Sequence, residues 1–204
     1  MLKYDAFRAK DWNHIFLTQI IRIHQTGLRF AEALGLEIGK HLSDGCSVVV
    51  RQQRSKKGGG IEPFPKTDAG FRDVDLDPAL ALLLKNYVGG RQTGPLIGTS
   101  SGLPLSARNI MRDSLPPILT AMGRGSAGFH IFRRFRESVL QMSEVRTLLI
   151  NYWMGHANGE MAGRYGKQLL DNVRWRQECA ATVGLGFMLP EDRSKPWLEV
   201  WTSF

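Results

Sequence analysis

Only one stretch of this 204-residue chain carries the marks of β-structure, and that confines what it can fold into. Residues 47–53 (SVVVRQQ) are β-branched and strand-like, and the polar glycine run SKKGGG that follows reads as a loop or hairpin tip. Residues 61–65 and 71–76 form two more short strands, with Thr67-Asp68-Ala69-Gly70 as the turn between them. The flanking sequence reads as helices. Residues 11–26 place Ile15, Phe16, Ile20 and Ile23 on one face and stop at Gly27; a second short helix runs from Arg29 to Leu36. Asp77-Pro78 is an N-cap followed by proline at the first helical position, and that helix ends at Gly89-Gly90.

Thr93 to Pro104 is a glycine- and proline-rich connection. Ser106 then caps a helix that meets Pro116-Pro117, where a break or kink is expected. A glycine-rich approach, Gly123 to Gly128, leads to helices over about 130–142, 144–154, 158–169 and 171–183. The aromatic tail FMLPEDRSKPWLEVWTSF is expected to dock on a surface. The fold class is therefore α+β, mainly α-helical, with one small three-stranded antiparallel sheet near residues 47–76.

A formal net charge of +8 makes a polyanionic partner plausible, nucleic acid first and a membrane surface second. Two cysteines, Cys46 and Cys179, make neither a disulfide framework nor a metal site, and read as reduced thiols. The start, MLKYDAFRAKDWNH, has no apolar core of signal-peptide length, and the apolar runs are too short to span a bilayer. The expectation is a soluble, cytoplasmic protein.

His130 and Arg133 stand three apart on an expected helix, so both project from one face. A phosphodiester undergoing substitution spreads negative charge over its non-bridging oxygens, which arginine matches with a planar fork of donors. A neighbouring histidine moves protons near neutral pH. Tyr165, nine residues after His156, is the candidate nucleophile. Its phenol has an ordinary pKa near 10 and needs cationic neighbours, or a base, to react at pH 7. His130, Arg133, His156 and Arg29 supply that field. His156 falls between a helix end and a new helix start; Lys66 falls on or beside the hairpin.

In their joint order these residues resemble the tyrosine recombinases, or phage integrases. Thr26-Gly27-Leu28-Arg29, followed by Glu32 and Leu36, is similar to the family's first-arginine motif. Pro65-Lys66-Thr67, with Arg72 and Leu76 downstream, resembles its β-hairpin lysine segment. His130-x-x-Arg133 resembles its histidine–arginine helix, and Gly155-His156 with Tyr165 its final histidine and nucleophile. Gly94 to Ser106 looks like its connector, and the resemblance runs from about residue 11 to 185.

The resemblance implies a tyrosine-recombinase catalytic-domain fold and a metal-free, ATP-free reaction with no cofactor, through a 3′-phosphotyrosyl link. Tyr165 would be the nucleophile; Arg29 and Arg133 would bind the non-bridging oxygens; His130 would act as acid/base on the tyrosine proton. Lys66 would protonate the leaving 5′-oxygen, with Lys56 or Lys57 as alternatives, and His156 would donate a hydrogen bond to the phosphate. Glu32 either orients the Arg29 guanidinium or forms a plain surface ion pair. The implied partners are double-stranded DNA and further copies of the chain in a tetrameric synapse. Residues 1–185 would be the catalytic domain and 186–204 a tail docking in cis or in trans, without the family's N-terminal core-binding domain. The alternatives are a catalytically silent DNA-binding remnant and a topoisomerase IB-like nicking and resealing activity.

Overall fold

The computed structural model describes residues 26–43, 45–55, 59–63, 67–99, 101–113, 115–121, 125, 127–158 and 160–186. At 117, 118, 121 and 160–165 it describes the backbone alone. The helix expected over 11–26, the lysines Lys56, Lys57 and Lys66, and the tail from 187 lie outside the described residues.

The strand residues pair as their alternation requires. β2 (Ser47–Val50) lies at the centre of a three-stranded antiparallel sheet, between β1 (Leu42–Ser43) and β5 (Arg72–Asp75). The register opposes Val48 to Val74, Val50 to Arg72 and Ser47 to Asp75. Val48, Val50 and Val74 are fully buried, as a period-two pattern with one apolar face demands.

The membership of this sheet differs from the sequence expectation. Its third strand is Leu42–Ser43, too short to show periodicity, turned back through Gly45 at φ 80°. The stretch expected over 61–65 instead contributes β4 (Ile61–Glu62), paired only with β3 (Gln53–Arg54) in a separate ladder. Side-chain bonding marks the break between β2 and β3. Arg51 Nη1 donates to the Val50 and Arg72 carbonyls, and Gln52 Nε2 to the Gly35 carbonyl. The turn expected at 67–70 is a single 3-10 turn, Asp68–Gly70, closed by Gly70 N–H onto the Thr67 carbonyl at 2.8 Å.

The helices follow their end signals. The short α1 (Phe30–Leu34) precedes the sheet, and α2 (Pro78–Val88) follows it. Asp77 caps α2, accepting from the Ala79 and Leu80 N–H groups, and Gly89 ends it. α3 (Ala107–Asp113) and α4 (Leu115–Ala121) replace the single helix expected to meet Pro116-Pro117. The break falls before the prolines. They occupy the first turn of α4, where a missing N–H and a fixed φ are tolerated.

α5 (His130–Met142), α6 (Thr147–Met154), α7 (Glu160–Asp171) and α8 (Val173–Val183) complete the described fold. α6 starts later than expected because Glu144 takes φ 55° and turns the chain. Trp153, Leu140, Leu28, Leu34 and Leu84, each at most 2% exposed, join the helices to the sheet in one core. Beyond α8 the chain returns onto α5: Arg136 donates to the Gly184 carbonyl, and a Cβ at Gly186 would meet the Val139 side chain. Among the described residues no helix is long and apolar enough to cross a membrane.

Candidate active site

Arg29 occupies the N-cap position of α1 in extended backbone (φ −67°, ψ 149°). One turn on, Glu32 reaches back: Oε2 accepts the Arg29 backbone N–H and Oε1 accepts Nη1, both at 2.8 Å. The Glu32 carboxylate also receives Arg72 from β5, with Nη2 to Oε2 at 2.9 Å and Nη1 to Oε1 at 3.2 Å. Glu32 is only 1% exposed and the Arg72 side chain 0%, so this is no surface ion pair. Burial pushes the Glu32 carboxyl up, but the bond and charge of Arg72, then the hydrogen bonds from Arg29, outweigh it and hold the group below its ordinary value. Glu32 therefore works as a rigid bracket between two guanidiniums.

The second anchor is the C-terminal end of α6. An α-helix leaves its last carbonyls without intrahelical partners and concentrates partial negative charge there. Three consecutive carbonyls here each take an arginine from a different part of the chain. Trp153 O accepts Arg72 Nε at 2.8 Å, Met154 O accepts Arg133 Nη2, and Gly155 O accepts Arg29 Nη2 at 3.0 Å. Arg133 also donates from Nη1 to the Gly27 carbonyl. The helix end thus offsets the mutual repulsion of three guanidiniums and sets their spacing.

Two glycines make this possible. Gly155 ends α6 in the left-handed region (φ 63°, ψ 42°), and His156 N–H returns to the Asn151 carbonyl at 2.9 Å, closing a Schellman-type end. A Cβ at Gly155 would stand 2.8 Å from Arg72 Nη1. Gly27, at φ 84°, lets the chain pass against Met154, whose sulfur would lie 2.6 Å from an added Cβ.

The turn after Gly155 delivers His156 to Arg133, with Nη2 to Nε2 at 2.9 Å. Burial pulls the His156 imidazole below its ordinary value, and the Arg133 charge pulls it further; Glu137 opposes, and the Arg29 and Arg72 charges add to the fall. Arg133 is 3% exposed. Burial first, then the charge of Arg29, push its guanidinium down to about 10, still protonated at neutral pH.

Arg29, Arg133 and His156 are therefore brought together around Met154-Gly155. His130 is exposed at the first position of α5, one turn before Arg133 on the same face. Tyr165 falls within α7, where the backbone alone is described, and Lys66 lies outside the described residues. Arg72, to which the sequence resemblance assigns no role, joins Arg29, Arg133 and His156 through Trp153 O and Glu32. Its signal was present: Arg72 stands two residues before the apolar Val74, on the same face of a strand.

A second buried polar cluster went unread. Asp75 Oδ2 accepts Trp153 Nε1 and Arg176 Nε, each at 2.8 Å, while Oδ1 accepts the Ser47 hydroxyl at 3.0 Å. Burial lowers the Arg176 guanidinium, but its bond and pairing with Asp75 raise it by more.

Comparison with solved structures places this arrangement in a known fold. The chain is similar to the Tn1549 transposon integrase in complex with a circular intermediate DNA, at 21% identity and TM-score 0.56, over 72% of this chain and 54% of that one. It is likewise similar to the same integrase in complex with transposon right end DNA, at 18% identity and TM-score 0.55, over 76% of this chain and 57% of that one. The chain thus spans about half the length of the solved integrases it matches. The fold is that of an integrase catalytic domain, as the sequence resemblance implies. No family model and no curated protein matches the sequence.

Proposed function

We propose that this chain is the catalytic domain of a tyrosine recombinase that cleaves and rejoins double-stranded DNA through a 3′-phosphotyrosyl intermediate. One observation carries the reading: Arg29 and Arg133, over a hundred residues apart in sequence, are anchored on the adjacent carbonyls of Gly155 and Met154, beside His156. Paired guanidinium forks beside a histidine match the charge of a pentacoordinate phosphorane. The net charge of +8 and the DNA-bound integrases of the same fold agree with a duplex as substrate.

In this reaction Tyr165 Oη attacks the scissile phosphorus in line, forming the O–P bond as the P–O5′ bond breaks. His130 takes the phenol proton. Lys66, or Lys56 or Lys57 in its stead, gives a proton to the departing 5′-oxygen. Arg29 and Arg133 hold the non-bridging oxygens. His156 accepts from Arg133 on Nε2, so Nδ1–H is its donor toward the phosphate. The covalent link conserves the phosphodiester energy and the arginines do the charge work, so the chemistry calls for neither ATP nor a metal ion. Rejoining runs the same steps in reverse, with the 5′-hydroxyl as nucleophile. Residues 1–185 would form this domain and 186–204 a tail that packs in cis or on another copy in a tetrameric synapse.

The test uses nicked duplexes carrying the cognate site. An SDS-resistant protein–DNA adduct is expected from the wild type and not from Tyr165→Phe. DNA binding without any adduct would instead make the chain a silent binding module. Relaxation of supercoiled plasmid without site preference would make it topoisomerase-like.

A further inference from the structure

The Asp75 cluster lies outside the arginine site, yet it reaches the helix that carries Tyr165. α7 ends at Asp171 and α8 begins at Val173, so a single residue, Asn172, joins them. The Asn172 side chain caps α8 by accepting the Trp175 N–H at 3.0 Å. Arg176 sits in the first turn of α8, and its planar fork spans two elements. Nε donates to Asp75 Oδ2 of β5 at 2.8 Å, and Nη1 donates to the Leu170 carbonyl, one of the last of α7. The guanidinium lies 5.2 Å from the centre of the Tyr152 ring, and the Tyr152 hydroxyl accepts the Asp73 N–H at 3.1 Å. Asp75 itself is held by Trp153 and Ser47, so the anchor is rigid.

α7 has a second point of close approach. A Cβ on Gly166 would overlap the Leu148 side chain of α6, so the backbone next to Tyr165 runs directly against α6. Leu170 lies five residues beyond Tyr165, about 7.5 Å along the helix axis. A helix pinned at Gly166 and at Leu170 cannot slide or tilt freely. In-line attack punishes such movement, since a displacement of about 1 Å can cost about a hundredfold in rate.

We propose that Arg176 is a positioning residue for strand cleavage: by joining Asp75 to the Leu170 carbonyl it fixes the end of the helix that carries Tyr165. This rests on the cleavage reading above. The two arms of Arg176 do separable work. The arm on Asp75 neutralises a buried carboxylate, which is a matter of stability. The arm on Leu170 locates α7, which is a matter of rate. Lysine carries the charge but not the planar fork, so its single nitrogen cannot hold Asp75 and the Leu170 carbonyl in the geometry that Nε and Nη1 set.

The informative variant is therefore Arg176→Lys in the full chain. Arg176→Met strips Asp75 of its cation and is expected to unfold. For Arg176→Lys, three readouts are compared with wild type: affinity for the nicked duplex, single-turnover adduct formation at saturating DNA, and amide hydrogen exchange. The expected result is affinity within about twofold, adduct formation slower by about ten- to a hundredfold, and faster exchange confined to α7. Adduct formation at the wild-type rate would overturn the proposal. So would a rate loss matched by an equal affinity loss, or faster exchange spread evenly over the β-sheet and α5, because either marks general loosening. Failure of the cleavage reading looks different: the wild type itself then forms no adduct, which is seen before any variant is compared.

Discussion

Arg133 donates from Nη2 to Nε2 of His156 across 2.9 Å. Arginine has no acceptor, so Nε2 is unprotonated and the neutral ring carries its proton on Nδ1. Nitrogen NMR of the histidines at pH 7 should report the Nδ1–H tautomer for His156. Arg133→Ala should move the His156 titration up toward its ordinary value, with burial still holding it below, and should allow a mixture of tautomers.

Burial of two histidines gives stability a pH dependence of definite sign. His156 and His41 both titrate below the ordinary 6.5 in the folded protein, each chiefly through burial. As pH falls through about 6.5 the unfolded chain takes up protons first, so stability drops on acidification and is flat above. Urea midpoints at pH 7.5 and 5.5 should differ in that direction, and His156→Gln should shrink the difference. A higher midpoint at pH 5.5 would contradict the assignment.

Arg29 and Arg133 share a proposed chemical role but not a structural one. The Arg29 side chain is 40% exposed, whereas Arg133 is 3% exposed and bonded to two carbonyls and His156. Both Arg29→Lys and Arg133→Lys should slow adduct formation by about a hundredfold or more through loss of the fork. Arg29→Lys should cost under about 1 kcal/mol of stability, and Arg133→Lys about 2–4 kcal/mol. Denaturant unfolding beside the adduct assay separates the two.

Glu32 stands between two guanidiniums with its side chain 1% exposed. Glu32→Ala leaves Arg72 buried without a counter-charge and should destabilise the fold by about 3–5 kcal/mol. Glu32→Gln keeps an acceptor and should cost less. The wild-type contribution is present above the ordinary 4.5 and is lost as pH falls through the lower folded value, so the Glu32→Gln deficit should narrow in acid.

Gly155→Ala forces a side chain into φ 63° and against Arg72 Nη1. The backbone term alone is about 1–2 kcal/mol. Because Arg29 bonds the Gly155 carbonyl and Arg133 the adjacent one, adduct formation should fall further than stability explains. An alanine variant with wild-type cleavage would show that this helix end does not set the arginine geometry.

Much of the fold was legible from local signals alone. Asp77-Pro78 and Gly89 bounded α2, and the His130 helix ran over 130–142 as expected, because caps, prolines and glycines act within one turn. The candidate residues Arg29, Arg133 and His156 were legible as types in order, and the fold brings these three to one helix end. What the sequence could not determine were relations between distant segments. Leu42–Ser43 is a strand only because Val48 lies beside it, and Ile61–Glu62 leaves the main sheet because Gln53–Arg54 is its partner. Arg72 and Glu32 face each other across forty residues, and Asp75 meets Arg176 across a hundred and one. A buried charge is tolerated only when its partner is present, and no local signal names that partner. Residue type and short-range order were thus set by the sequence, while the tertiary structure decided which arginines touch bare carbonyls at the end of α6 and that one carboxylate, Glu32, holds two of them there.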